Sequence, residues 1–243
     1  MKQFRFLLPV VLAVASVLTG CLHIEEEVTF NNKGNGKYAM VIDMSEVKSM
    51  MDMFKGMADD STGGAETPDL SDTDMGEIGK ELSGVTTSLS GIKGISNVRE
   101  VNDTAQFRFG YSFEFADVAA LNSALRVINK EKYDSKTEDV FRYDGKSFER
   151  LAAGDLGEEI KKALAEGEDE DMEGAMDMMK MFFGDMSYKQ IYHFPDQAIK
   201  SSNNKLGEIS ADGHTLTMNI KPFDEEQAKE KVTVATKLKL KKG

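Results

Sequence analysis

The chain has 243 residues, with 30 Lys and Arg against 42 Asp and Glu, a net charge of −12, one cysteine, no tryptophan and 15 methionines. A chain this acidic is a poor candidate for binding nucleic acid, which needs a basic face, and no nucleic-acid partner is expected. A single cysteine forms no intrachain disulfide, so the folded body must be stabilised by core burial, for which the length suffices.

Lys2 and Arg5 make a short positive region, Phe6 to Leu18 is almost wholly apolar, and Thr19 and Gly20 are small. This is the layout of a secretory signal peptide, and its apolar run falls short of the ~20 residues of a membrane-spanning helix. Leu18-Thr19-Gly20-Cys21 resembles the lipobox of bacterial lipoproteins: an aliphatic residue, two small ones and a cysteine. The resemblance implies that residues 1–20 are cleaved and that Cys21 carries a diacylglyceryl group and an N-acyl chain. The lipid would anchor residues 21–243 as a single domain in a bacterial envelope. Each buried methylene contributes roughly 0.8 kcal/mol, so several chains hold a protein where one binds reversibly. Loss of Lys2 and Arg5 takes the basic count from 30 to 28 against 42 acidic residues, a net charge of −14.

After Cys21, Leu22, Ile24, Glu26, Val28 and Phe30 alternate with polar residues, the two-residue period of a strand. Glu26 is the one member of the apolar side that does not belong there. The turn-rich Asn31–Gly36 and a second strand, 37–44, complete a hairpin. Asp43 and Glu46 have capping-box spacing before a helix in which Met44, Val47, Met51, Phe54 and Ala58 share a face widened by Met50, Met53 and Met57. Residues 59–74 read as a mobile acidic loop. Asp74 and Glu77 then cap a helix with Met75, Ile78, Leu82 and Val85, ended by the Gly/Ser-rich run to Gly94. Phe107, Phe109, Tyr111, Phe113 and Phe115 alternate in a strand whose aromatic side predicts a core face. A helix over 117–129 follows, then a hairpin about Asp144-Gly145, a short helix over 155–165 and an acidic linker within the mobile segment 166–173. Met172, Met176, Met179, Phe182, Phe183 and Met186 form a second methionine-rich face. Strands ending at Pro195, flanking Asp212-Gly213 and closing over 232–240 fill the last third. The fold class is α+β: a mostly antiparallel sheet, amphipathic helices on one side and acidic disordered loops between elements.

Tyr188, Tyr192-His193-Phe194-Pro195, Ile199 and Ser201-Ser202-Asn203, with the early hairpin, resemble the LppM-like lipoprotein domains. That resemblance informs fold and transfers no catalytic residue.

The chain lacks a nucleophile elbow, a Walker A loop and a dinucleotide fingerprint, so an enzyme is not expected and no residue is singled out as catalytic. His23, His193 and His214 are its only histidines. The last two, if their strands paired, would supply two zinc ligands, though strand histidines at the surface are the commoner case and no metal or other cofactor is expected. Lys237, Lys239, Lys241 and Lys242 read as a charged edge strand that discourages aggregation; paired antiparallel to the first strand, they would instead meet anionic headgroups. Met50, Met51, Met53, Phe54, Met57, Met176, Met179, Phe182 and Phe183 are the candidate partner-binding residues, because the flexible thioether suits adaptable surfaces. A protein or amphipathic ligand is the expected partner, the membrane being engaged through the anchor. The alternative is Cu(I) handling, since Met50-x-x-Met53 and Met176-x-x-Met179 place thioethers one helical turn apart. Leu22 is not the aspartate that retains enterobacterial lipoproteins in the inner membrane, which favours the outer membrane. Glu25-Glu26-Glu27 resembles the surface-export signal of Bacteroidota lipoproteins.

Overall fold

A computed structural model of the chain describes residues 22–46, 48–49, 72–128, 139–151, 184–224, 226–227 and 234–241. In chain order the elements are β1 (His23–Phe30), β2 (Gly36–Asp43), α1 (Asp72–Ser90), β3 (Ile95–Asp103), β4 (Arg108–Phe115) and α2 (Val118–Ile128). They continue as β5 (Phe141–Tyr143), β6 (Ser147–Arg150), β7 (Ser187–His193), β8 (Ile199–Ser202), β9 (Glu208–Ile209), β10 (Thr215–Ile220) and β11 (Thr236–Leu240). A seven-stranded sheet has the order β3-β4-β2-β1-β7-β10-β9, and a four-stranded sheet the order β5-β6-β11-β8. All pairs are antiparallel except β1 with β7. The α+β class with mostly antiparallel pairing is therefore as the alternation predicts.

Alternation decides which face is buried. Val28 of β1 stands opposite Tyr38 of β2 and Tyr192 of β7, and Tyr38 opposite Phe113 of β4. All four are buried, so one face of the large sheet is a continuous core surface. The four-stranded sheet covers part of that face. Phe30 sits between the two sheets, its ring 5.1–6.2 Å from those of Phe115, Phe141, Tyr143, Phe148 and Phe194. Aromatic pairs at such spacing contribute ~0.5–1.5 kcal/mol each beyond burial. α1 and α2 cover the β3–β4 end of the same face through Leu82, Val85, Leu89, Leu121 and Leu125. The helices thus lie on one side, as expected, and share it with the second sheet.

Side-chain carboxylates fix the local turns. Asp43 Oδ1 accepts from Ser45 N at 3.0 Å, and residues 45–46 and 48–49 are helical; the rest of the expected methionine-rich helix lies outside the described residues. Asp117 Oδ1 accepts from Ala120 N at 2.8 Å at the start of α2. Asp144 Oδ1 accepts from Lys146 N at 2.8 Å and Ser147 N at 2.7 Å, with Gly145 at φ +78.

Three expectations are corrected. α1 begins at Asp72, two residues before the expected cap, so residues 72–74 are helical and not part of a loop. It also runs through the Gly/Ser-rich stretch to Ser90. There the hydroxyls of Thr87, Ser88 and Ser90 donate to carbonyls four residues earlier at 2.8–2.9 Å, and Leu89 is fully buried. Burial of the apolar face overrides the weak propensity of these residues. Finally, β11 is no edge and does not pair with β1: it lies between β6 and β8 in the other sheet. β3 is absent from the sequence reading, because Ile95, Val98 and Val101 recur every three residues; a bulge between Ser96 and Arg99, with Asn97 at φ +51, accommodates that spacing.

Candidate functional site

Of the expected site residues, Leu18, Thr19, Gly20 and Cys21 lie outside the described residues, as do Met50, Met51, Met53, Phe54, Met57, Met176, Met179, Phe182 and Phe183. The 155–165 helix and the 166–173 segment lie outside them too. Met186, expected on the second methionine face, is buried immediately before β7. Met218 is also fully buried, with its sulfur 3.1 Å from the Thr236 hydroxyl. These two methionines are core filler.

β7 and β10 do pair, but the two histidines do not converge. His193 stands opposite Thr215, on one face, while His214 precedes Thr215 and bonds the Phe194 carbonyl at 2.8 Å through Nδ1. Strand alternation sends the two rings to opposite faces.

The charged group that departs from pattern is Glu26. It is 1% exposed, between the two sheets, and it is paired with Arg150 at the end of β6, which is 8% exposed. Arg150 Nη2 donates to Glu26 Oε2 at 3.0 Å, and Nε to Oε1 at 3.4 Å. Tyr188 OH donates to the same carboxylate, and Gln190 Nε2 lies 3.5 Å from Oε2. Nη2 also reaches the Tyr188 hydroxyl at 3.1 Å, and the guanidinium sits 5.8 Å from the centre of the Phe141 ring. Burial pulls the guanidinium pKa down, but the adjacent Glu26 carboxylate and nearby phenols hold it above its ordinary value. Burial first, then the charge on Glu26, raises the phenols of Tyr38 and Tyr192 well above the usual range. Gln190 Oε1 and Tyr192 OH are buried without a hydrogen bond of standard geometry. The cluster ties β1 and β7 of one sheet to β6 of the other. The clue was present in sequence: Glu26 and Arg150 each occupy the inward parity of an alternating strand.

The other face of the large sheet is polar and largely neutralised in pairs. Lys189 meets Glu25 at 3.0 Å, His193 Nε2 meets Glu27 at 3.0 Å, and Lys37 meets Glu114 at 3.5 Å. A shallow depression of about 220 Å³ opens there, lined by Glu27, Thr29, Lys37, Asn97, Arg99 and Glu114 among others. A hydrogen bond from Asn97 at 2.8 Å, with Lys37 and Arg99 nearby, holds the Glu114 carboxyl below its ordinary pKa. Glu27, His193 and Thr215 form a chain, with His193 Nδ1 3.0 Å from Thr215 Oγ1. Its connectivity is that of an orienting acid, a base and a hydroxyl. The surrounding N–H groups are engaged in the ladders of β1, β7 and β10, and Thr215 N donates to Ser210 Oγ.

No protein-family model and no curated protein matches the chain. Among solved structures it is similar to the folded domain of LppM from Mycobacterium tuberculosis, determined by NMR. Identity is 12%, the TM-score is 0.38, and the alignment covers 90% of this chain and 89% of that one.

Proposed function

We propose that the chain is a bacterial envelope lipoprotein, held in the outer membrane by lipid on Cys21, that acts as a non-catalytic binding or assembly module. The observation that carries the reading is the absence of a spacer: Leu22 alone separates the lipobox cysteine from β1, an interior strand of the large sheet. Two residues span at most ~7 Å. Lipid on Cys21 therefore holds the His23, Asp43 and Ser187 end of the sheet close to the bilayer. The Glu26–Arg150 pair is buried between the two sheets, which suits a structural role within such a module. The methionine-rich segments supply the adaptable apolar surface that recruits a protein or amphipathic ligand.

Methionine oxidation by dilute peroxide tests this, with buried Met186 and Met218 as internal standards. In purified protein, Met50, Met51, Met53, Met57, Met176 and Met179 should oxidise well ahead of those two and become protected in native envelopes. Oxidation as slow as that of Met218 would mean that both faces are core, and the binding role would fall.

A further inference from the structure

The lysines of β11 need a reason other than edge protection, because β11 is an interior strand. Its residues alternate, with Thr236, Leu238 and Leu240 buried and Lys237 and Lys239 outward. In register, Lys237 stands beside Glu149, which stands beside Arg142; Lys239 lies between Ser147 and Ser201. Lys241 continues the strand, its N–H donating to the Ala198 carbonyl at 2.8 Å. Exposed Lys146 and Lys200 flank these positions.

Glu149 is the one carboxylate on the four strands of this sheet, and Asp144 lies in the β5–β6 turn. Lys237 makes a long pair with Glu149 at 3.8 Å, while among the described residues no carboxylate pairs with Arg142, Lys239 or Lys241. The opposite outer face, on the large sheet, sets its cations against carboxylates at 3.0–3.5 Å. Among the described residues, the outer face of this sheet thus carries more cations than carboxylates, in a chain that is acidic as a whole.

We infer that the outer face of the four-stranded sheet is an electrostatic docking surface for an anionic bilayer leaflet. A protein partner would need buried aromatic or apolar anchors. Among the described residues the exposed large hydrophobic side chain is Ile209, on β9 of the other sheet. A small anion would need donors converging on one point, whereas these cations are spread along the strands. A planar array of phosphates fits both features, each lysine near the surface contributing ~1 kcal/mol. A lipid and a basic patch are the two signals that together make membrane attachment stable.

The test uses lipid-free Cys21→Ser protein, residues 21–243, so it stands apart from lipidation itself. Sedimentation with phosphatidylglycerol-containing vesicles should show binding, and neutral phosphatidylcholine vesicles none. Raising salt from ~0.1 M to 1 M shortens the Debye length from ~10 to ~3 Å and should release the protein. Arg142→Ser/Lys239→Ser/Lys241→Ser should weaken binding roughly a hundredfold. Lys37→Ser/Lys189→Ser on the opposite face should leave it within about threefold, those lysines being paired. Independently of any variant, acetylation footprinting of the Cys21→Ser protein should find Lys239 and Lys241 shielded by vesicles and Lys37 not. Equal binding by the basic-face variant and its parent, equal shielding of both faces, or no binding to anionic vesicles overturns the inference.

Discussion

Replacing Arg150 with methionine is the sharpest perturbation of this fold, because Glu26 is only 1% exposed. The carboxylate would keep Tyr188 OH and Gln190 Nε2 as donors but lose the cation that holds it at 3.0 Å. Removing one partner of a buried ion pair costs about 3–5 kcal/mol, a large share of the ~5–15 kcal/mol that stabilises a typical domain. Glu26→Gln should fall at the lower end of that range. Its stranded guanidinium retains the Tyr188 hydroxyl, the Leu151 carbonyl at 3.4 Å and the face of Phe141. The double variant Glu26→Leu/Arg150→Met removes both charges but orphans the Tyr188 hydroxyl and the Gln190 amide, at ~1–3 kcal/mol each. It should therefore be less stable than the parent, yet more stable than the sum of Arg150→Met and a Glu26→Leu single variant by at least ~2 kcal/mol. Urea denaturation followed by circular dichroism measures this, read as a shift in midpoint at constant slope. An Arg150→Met change within ~0.5 kcal/mol of the parent, or an additive double variant, would refute the description of a desolvated pair.

Asn122, buried in α2, receives Val140 N and Phe141 N at 3.0–3.1 Å and donates to the Phe141 carbonyl at 2.9 Å. Asn122→Ala should cost about 2–4 kcal/mol in the same urea assay by orphaning those groups. The phenols of Tyr38, Tyr111 and Tyr192 are raised by burial first and by Glu26 second. Their contribution is full below the unfolded-state value of ~10 and is lost as pH rises above it. Alkaline titration should accordingly show these three of the six tyrosines ionising only together with loss of tertiary circular dichroism; all six ionising near pH ~10 in folded protein would contradict it. At the acid end, backbone hydrogen bonds from Lys146 and Ser147 depress Asp144, and bonds from Ser210 and His214 depress Asp212. Their stabilisation is complete above the unfolded-state pKa of ~3.9 and declines as pH falls through the lower folded values, so Asp144→Asn should flatten the acid limb of the stability curve. A Cu(I) titration against a competing chelator should find no micromolar site; tight binding would revive thioether chemistry in the methionine-rich segments.

Two-residue periods made most of the sheet legible: β1, β2, β4, β7, β10 and β11 all lie within stretches where apolar and polar residues alternate. Dense turn chemistry at Asn31–Gly36, Asp144-Gly145 and Asp212-Gly213 located three hairpins for the same reason, since Gly34, Gly145 and Gly213 all have positive φ. β3 was hidden because a bulged edge strand carries its apolar residues out of period. The end of α1 was misread because Leu89 anchors a run of small hydroxyl residues that by propensity alone would not remain helical. Pairing between distant segments was the larger gap. Alternation shows which way Lys239 points but not that β11 lies between β6 and β8, nor that a second sheet exists. Glu26 was recognisable as an exception to its strand, but its partner lies 124 residues away, and no local pattern identifies it.

The proposal turns on Cys21, and the N-terminal peptide of the protein from native envelopes tests it most directly. Trypsin should release residues 21–33, ending at Lys33, and mass spectrometry should find that peptide starting at Cys21 and carrying a diacylglyceryl group. A peptide with an unmodified Cys21 thiol, or one that retains residues 1–20, would contradict the lipid-anchored reading.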